Sequence, residues 1–345
     1  MHKWCINNHI FRVKIHKLQI FIQKLLHFNE YGGIFYLAIK KTSLEEKTMK
    51  KIIAVLLTLV LVVGAFAACG GTTEETTAPA GEETTAAATE ILKVIDIALT
   101  SEEYGFAVKK GDAELLAQLN DFLTEVKNDG TYEAIMNKYF GDGTPEGVLV
   151  ADTAVGAKEN QIVIATNAAF PPFEYVEGDK YYGVEIELMA LFAQKIGKNL
   201  AVNDMEFDSV CTAVAEGTCD IGASGLTITE ARKEILDFTD AYYNASQKLI
   251  AAANDTAFDA CTTVEDCEAV LKGLAEGTKI GYQTGTTGAY YIDGDADWGF
   301  DGYANLEGVG YTSGAFAVQD ILNGNVAYVV IDEAPANSIV EGVNG

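Results

Sequence analysis

The stretch Ala223–Tyr243, ASGLTITEARKEILDFTDAYY, holds the strongest structural signal in this 345-residue chain. Its first residues close an apolar run, Cys219–Ala223, that we interpret as a strand, and a loop of small residues follows. Thr229 then stands at a favoured N-cap position, and the short helix that it begins carries Arg232. A strand, a loop and a helix in this order are typical of an α/β protein.

The same alternation continues on both sides of this stretch, from Ile91 to the chain end. We predict further strands at 92–98, 162–166, 200–205, 249–253, 279–282 and 326–331. We predict helices that begin at Asp112, Thr131, Asp208 and Ser313, and others at 184–196 and 264–274. Strands that alternate with helices imply α/β architecture with parallel, doubly wound sheets. Such sheets bind ligands beyond the carboxyl ends of their strands.

Four segments resemble the amino-acid-binding family of bacterial ABC-transporter extracellular solute-binding proteins, family 3 type. They are IVIATNAAFPPFEYVEG (162–178), ASGLTITEARKEILDFTDAYY (223–243), AYVVIDEAPA (327–336) and a tail-like segment at 100–141 that begins TSEEYGFAVKKGD. The resemblance covers nearly all of 91–345. It implies a two-lobed periplasmic-binding-protein-like fold of type II, with a two-segment hinge and a ligand cleft.

The order of the segments departs from the family, because the segment that resembles its tail precedes the one that resembles its start. Each segment occurs once, so the order favours a single, circularly permuted pair of lobes. The alternative is a deletion artefact or misassembled gene that left fragments of two neighbouring copies. Permutation is tolerated where the old termini lie close together. It predicts that Ile91 and Gly345 are neighbours at one edge of lobe 2.

The permuted order implies a division of the chain into lobes. Lobe 1 is expected at 105–241, and lobe 2 at 91–99 with 247–345. The hinges are then 100–104 and 242–246, and a two-segment hinge permits one dominant closing motion.

The resemblance also implies which residues hold a free amino acid. Arg232 matches the arginine that binds the ligand carboxylate, and Asp332 matches the residue that takes the ammonium. Their ordinary alternatives are a salt bridge from Arg232 to a neighbouring acid (Glu230, Glu234 or Asp237) and a helix cap at Asp332. The remaining residues that match ligand positions are Asn167, Phe170, Phe207, Ser224, Gly225, Thr227, Gln283, Thr286 and Thr287.

Different residues of this set are expected to contact different parts of the ligand. Thr227 and the backbone at Ser224 and Gly225 match acceptors and donors for the zwitterion, and Thr287 can open a helix whose N–H groups face the carboxylate. Phe170 and Phe207 match aromatics that sandwich the side chain, with core packing as their alternative. Asn167 and Gln283 match positions that contact the end of the ligand side chain. Both are neutral amides, so a neutral polar amino acid is the expected ligand.

A secretory signal follows Met49. Lys50 and Lys51 precede the apolar run Ile52–Ala68, and small residues end it at Cys69. The segment resembles a lipoprotein signal, in which the cysteine is acylated and becomes the N-terminus; Phe66 stands where leucine is usual. The alternative is a transmembrane helix, for which seventeen apolar residues is the lower limit. We expect a lipid-anchored protein on the extracellular face of the cell membrane, or in the periplasm.

The regions beside this signal lack a globular pattern. Residues 1–48 are interpreted as an upstream extension before a start at Met49, or alternatively as a basic membrane-surface segment. Residues 69–90 contain no large apolar side chain, and this composition is typical of a flexible tether.

Charge and histidine content exclude several functions. Ten of the 24 bases but only three of the 50 acids precede residue 69, which leaves the rest of the chain a net charge of −33. Such a surface repels nucleic acid. All four histidines lie in the first 27 residues, so the globular part has no imidazole for a catalytic triad or a zinc site. No metal, cofactor or enzymatic activity is expected.

Four cysteines, Cys211, Cys219, Cys261 and Cys267, fall in the globular part, and in an extracellular space they could form disulfides. Three pairings are possible. Since a bond between lobes would restrain closure, Cys211–Cys219 and Cys261–Cys267 are favoured.

The expected partners are a free amino acid, the permease of an ABC importer, and the lipid bilayer through Cys69; a monomer suffices. Two alternatives remain: a dehydratase-like enzyme of the same fold, for which Glu174 is the candidate acid or base, and a ligand-sensing subunit of a signalling system.

Overall fold

The structure is a computed structural model that describes residues 90–150 and 160–345. The predicted signal segment, Cys69, the upstream extension, the tether up to residue 89 and residues 151–159 lie outside the described residues. The described strands are β1 (Leu92–Ile95), β2 (Glu102–Tyr104), β3 (Ala107–Lys109), β4 (Gln161–Thr166), β5 (Ala169–Phe170), β6 (Glu174–Glu177), β7 (Lys180–Tyr182), β8 (Asn199–Asp204), β9 (Ile221–Gly222), β10 (Leu236–Phe238), β11 (Tyr243–Ala245), β12 (Gln247–Ala252), β13 (Thr278–Gln283), β14 (Leu306–Tyr311) and β15 (Tyr328–Asp332). The described helices are α1 (Ala113–Asn128), α2 (Thr131–Phe140), α3 (Val184–Lys195), α4 (Phe207–Glu216), α5 (Glu230–Ile235), α6 (Val264–Gly273), α7 (Thr287–Asp293), α8 (Gly314–Leu322) and α9 (Glu333–Asn344).

Two five-stranded sheets define the two lobes. Lobe 1 contains the sheet with strand order β10-β3-β9-β4-β8, and lobe 2 contains the sheet β1-β12-β15-β13-β14. Helices α3 and α4 pack on the first sheet, and α7, α8 and α9 pack on the second. The central strands β4 and β15 are almost wholly buried, as expected for strands covered on both faces.

Both sheets are mixed rather than wholly parallel, so this part of the expectation is wrong. In lobe 1, β4 runs parallel to β8 and β9, whereas β3 runs antiparallel to β9. In lobe 2, β13 runs parallel to β14 and β15, whereas β12 runs antiparallel to β15. The antiparallel strands β3 and β12 are those that follow the two chain crossings, and each enters its sheet from the side of the other lobe.

A short antiparallel ribbon carries the chain between the lobes. Its strands are β2 and β11, which pair Tyr104 with Tyr243 and Glu102 with Ala245. The ring of Tyr104 is fully buried and packs edge-on against Phe173 at 5.2 Å. The ribbon therefore forms the floor of the space between the lobes.

The two ends of the globular part lie side by side at the β1 edge of lobe 2. The Asn344 side chain accepts hydrogen bonds from the backbone N–H groups of Ile91 (2.9 Å) and Leu92 (3.1 Å). Its amide nitrogen donates to the Leu92 carbonyl at 2.9 Å. The predicted proximity of Ile91 to the chain end at 345 is confirmed, and β1 pairs with β12 at this edge of the sheet.

Helix beginnings follow the expected caps in most cases. The side chains of Asp112, Thr229 and Ser313 accept the N-cap hydrogen bonds of α1, α5 and α8. Helix α4 differs, because its N-cap is Glu206 and Asp208 lies in its first turn. There Asp208 adds a negative charge at the positive end of the helix dipole without capping it.

The four described cysteines are thiols in the structure, so the expected disulfides are not formed in it. Burial, followed by the proximity of the Cys261 thiol, raises the pKa of Cys267 to about 12. The Cys219 sulfur accepts a hydrogen bond from the Asn203 amide at 3.5 Å. A bond between Cys261 and Cys267 would join two neighbouring thiols, and both pairings remain predictions.

Candidate functional site

A cavity with about 240 Å³ of empty space around it, part of it open to solvent, lies between the lobes beside the hinge ribbon. Nine of the eleven predicted ligand residues line it. Phe170, Phe207, Gly225, Thr227 and Arg232 belong to lobe 1, and Gln283, Thr286, Thr287 and Asp332 belong to lobe 2. Of the other two, Asn167 accepts a hydrogen bond from the Gln283 amide, and the Ser224 hydroxyl accepts one from the Asn167 backbone N–H.

Arg232 reaches the cavity from α5, whose first turn is held by Thr229. The Thr229 hydroxyl accepts a hydrogen bond from the Arg232 backbone N–H at 3.2 Å. The guanidinium donates to the carbonyls of Thr227 (2.8 Å) and, across the cleft, Gly285 (3.2 Å). It also lies 5.5 Å from the centre of the Phe207 ring, a cation–π contact.

The ordinary alternative for Arg232, a salt bridge with a neighbouring acid, is not realised. Glu230 pairs with Lys233 at 2.9 Å, and Asp237 pairs with Lys110 at 2.8 Å. Within residues 90–150 and 160–345, no carboxylate forms a salt bridge with Arg232. Only 8% of the residue is exposed. Arg232 is therefore a buried positive charge held by neutral acceptors.

Asp332 is the last residue of β15 and reaches the same cavity from lobe 2. It occupies the N-cap position of α9, yet its side chain makes no capping hydrogen bond. The Tyr104 hydroxyl donates to its carboxylate at 2.5 Å instead. Burial, followed by the nearby negative charge of Glu102, raises the pKa of Asp332 to about 7. In the described part of the chain, Asp332 also has no cationic partner.

The loop between β13 and α7 supplies the remaining contacts from lobe 2. Thr286 is the N-cap of α7, and its hydroxyl also donates to the Gln283 carbonyl at 2.7 Å. Gly285 adopts φ +78°, which turns its carbonyl toward Arg232. Thr287 begins α7, and its hydroxyl lies beneath the cavity, where it contacts Glu102.

Asn167 and Gln283 meet across the cleft. The Gln283 amide donates to the Asn167 side-chain oxygen at 2.8 Å and to the Thr312 carbonyl at 3.1 Å. The Asn167 amide in turn donates to the Met205 carbonyl at 2.8 Å. Asn167 and Gln283, which were predicted to contact the end of the ligand side chain, thus form one uncharged hydrogen-bond network that spans both lobes.

The two aromatic residues take different positions. Phe170 packs against Phe173, with ring centres 6.0 Å apart, and also touches Gly225. A β-carbon at Gly225, whose φ is +53°, would lie 2.7 Å from the Phe170 ring. Phe207 lies beneath the Arg232 guanidinium. Phe207 therefore orients the arginine as well as lining the cavity.

Two buried glutamates behind the cavity were not predicted as part of the site's support. Glu174 accepts a hydrogen bond from the Ser224 hydroxyl at 3.1 Å, and Glu185 accepts one from the Gly225 N–H at 2.9 Å. The Gly225 N–H is thus used inside the protein, although it was expected to face the ligand. Burial and the proximity of Glu185 raise the pKa of Glu174 well above its usual value, and burial raises that of Glu185 to about 7.

The profile of the family described as bacterial extracellular solute-binding proteins, family 3, matches residues 17–142 and 162–327. The chain belongs to this family. Its members are bacterial extracellular solute-binding proteins. Among the described residues, none of the helices combines the length and the apolar character needed to cross a bilayer.

Individual relatives are more distant and match in part. The arginine-binding extracellular protein ArtP of Bacillus subtilis is 35% identical over 123 residues, which are 36% of this chain and 45% of ArtP. The arginine-binding protein ArgT of Corynebacterium glutamicum is 33% identical over 34% of this chain and 39% of its own. The ABC transporter arginine-binding protein 1 of Escherichia coli is 28% identical over 55% of this chain and 70% of its own. The chain thus spans less than half the length of the first two.

Proposed function

We propose that this protein captures a free amino acid in the cleft and delivers it to an ABC importer. One observation carries the proposal: Arg232 and Asp332 line the same cavity from opposite lobes, and neither has an oppositely charged partner among the described residues. Leaving a charge buried without a partner is costly. An α-amino acid would place its carboxylate at Arg232 and its ammonium at Asp332, and because it contacts both lobes it would stabilise the closed state.

The roles of the other predicted residues follow from this orientation. The planar fork of Arg232 suits bidentate contact with a carboxylate. Thr227, Thr286 and Thr287 surround the zwitterion, while Phe170 and Phe207 flank its side chain. Ser224 and Gly225 shape the wall that Glu174 and Glu185 hold in place.

The preferred side chain is proposed to be neutral and polar. Its tip would meet Asn167 and Gln283, whose amides both donate and accept hydrogen bonds. Apart from Asp332, no acid lines the cavity within the described residues. Arginine is the competing ligand, because the relatives named above are arginine-binding proteins and the Phe170 and Phe207 rings could stack on a guanidinium.

Binding is favoured over enzymatic activity. Glu174, the candidate acid or base, lies behind Ser224 and is not among the residues that line the cavity. A general acid or base must come within hydrogen-bond reach of the substrate. A signalling role would use the same cleft, and the genes beside this one would separate the two: permease and ATPase genes support transport.

The proposed organisation is that of a permuted, lipid-anchored receptor. Lobe 1 spans 105–241, lobe 2 spans 91–99 and 247–345, and the hinges are 100–104 and 242–246. Cys69 would be acylated after cleavage at 68, and the tether at 69–90 would hold the receptor near the permease. The small-residue ending of the apolar run supports this assignment.

Calorimetric titration of the purified protein against the twenty amino acids and cystine tests the proposal. Micromolar binding, about −8 kcal/mol, to one or a few of them is the expected result. A folded protein that binds none would refute it. Tighter binding of L-arginine than of L-glutamine or L-asparagine would refute the neutral specificity alone.

A further inference from the structure

Glu102 lies in β2, one of the two chain segments that cross between the lobes, and its carboxylate is almost completely buried beneath the cavity. One of its oxygens, Oε2, accepts hydrogen bonds from the Thr227 hydroxyl at 2.7 Å and the Thr287 hydroxyl at 2.8 Å. Its other oxygen accepts from Thr100 at 2.6 Å. Since Thr227 belongs to lobe 1 and Thr287 to lobe 2, one hinge carboxylate joins both lobes.

The direction of these hydrogen bonds follows from chemistry. An ionised carboxylate can only accept, so both threonine hydroxyls must donate their single hydrogen to Glu102. What each hydroxyl then offers to the cavity is lone pairs. At Thr287 one of them already accepts from the Gln247 amide at 3.1 Å. Thr227 and Thr287 are therefore set as acceptors, which fits an ammonium and disfavours a carboxylate.

The charges in this region point the same way. Glu102 and Asp332 are both buried, and the negative charge of Glu102 contributes to the raised pKa of Asp332. Salt bridges to either carboxylate are absent from residues 90–150 and 160–345. A cation between these acids and the threonine hydroxyls would offset repulsion that otherwise persists in the closed cleft.

We propose that Glu102 is a positioning residue that latches the two lobes from the hinge and sets Thr227 and Thr287 as acceptors for the ligand's ammonium. The second role rests on the proposed function. The latch does not, because all three of its partners are residues of this chain.

Glu102→Ala tests the latch, with Glu103→Ala as its control, because Glu103 is adjacent in β2 but exposed. Small-angle scattering of the ligand-free full-length proteins measures lobe separation. We expect Glu102→Ala to have a larger radius of gyration than the wild type, and Glu103→Ala to match the wild type. Equal radii for all three proteins would overturn the latch.

Titration tests the second role. It uses Glu102→Gln, which keeps a carbonyl acceptor but loses the charge, so that the result does not depend on whether Glu102→Ala folds. L-glutamine and L-arginine are the probes, each compared with its analogue that lacks the α-amino group. We expect Glu102→Gln to weaken amino-acid binding at least tenfold and to change binding of the analogues less than threefold. An equal loss for both kinds of probe would overturn the ammonium role, whereas failure of the wild type to bind either amino acid would overturn that role but leave the scattering test intact.

Discussion

Replacing Arg232 with alanine is the substitution whose effect on binding the structure defines best. The guanidinium is held by the carbonyls of Thr227 and Gly285 and by the Phe207 ring, and it has no salt-bridge partner among the described residues. Alanine removes all of these contacts together with the positive charge. The ligand carboxylate would then be buried without a partner.

The size of the effect follows from that loss. Removing one member of a buried, hydrogen-bonded charge pair costs about 3–5 kcal/mol. At about 1.4 kcal/mol for each tenfold change, affinity should fall by roughly two to four powers of ten. Arg232→Lys keeps the charge but loses the planar fork, so its loss should be smaller than that of alanine.

Calorimetry with the amino acid that the wild type binds most tightly is the assay, after thermal melts show that each variant folds. Lys233→Ala is the matched control, because Lys233 follows Arg232 on α5 but makes an exposed salt bridge with Glu230. Such pairs contribute about 0–1 kcal/mol, and the control should bind like the wild type. A loss below tenfold for Arg232→Ala would remove this residue from the site.

Four further predictions concern the pH dependence of binding and of stability, the backbone at Gly225, and the cysteines. Because Asp332 must be ionised to bind an ammonium and its pKa in the empty site is about 7, affinity should fall about 50-fold from pH 7 to pH 5, and a flat calorimetric profile would contradict this. The folded state holds a proton on Glu185 up to about pH 7, whereas an unfolded glutamate releases it near pH 4.3. The unfolding free energy measured with urea should therefore decrease from pH 5 to pH 7, and Glu185→Gln should make that decrease smaller, with the buried Glu174 and Asp332 supplying the remainder. Gly225→Ala should lower stability and affinity more than Gly178→Ala, because both glycines have positive φ but only at Gly225 would the new β-carbon lie against Phe170. Equal effects of the two substitutions in thermal melts and titrations would contradict a steric role for Phe170. The oxidised protein should show Cys261–Cys267 in non-reducing peptide maps and lose about 2 kcal/mol of stability on reduction, whereas a map with a bond between the lobes would refute the pairing.

Much of the site could be predicted because its residues lie in segments with strong local patterns. Arg232 sits one turn after the Thr229 cap, and Asp332 ends an apolar strand, so local sequence placed both at element ends. The meeting of nine of the eleven predicted residues around one cavity then required only that the two lobes face each other.

The parts that escaped prediction depend on contacts distant in sequence. Glu102 stands in the polar run Ser101-Glu102-Glu103, which is typical of an exposed segment. Its hydroxyl partners Thr227 and Thr287 lie 125 and 185 residues away. The antiparallel direction of β3 and β12 was not predicted for a similar reason. Both strands follow the hinge crossings, and the alternation of strands and helices does not indicate the direction in which such a strand enters its sheet.

In the proposed complex, one zwitterion bridges Arg232 and Asp332. Comparing a free amino acid with the same molecule blocked at its carboxylate or lacking its α-amino group tests this bridge. The best ligand from the titration screen is measured by calorimetry beside its carboxamide and its analogue without the α-amino group. Each blocked form is expected to bind at least a hundredfold more weakly than the free amino acid. Binding of either form within tenfold of the free amino acid would contradict the bridge.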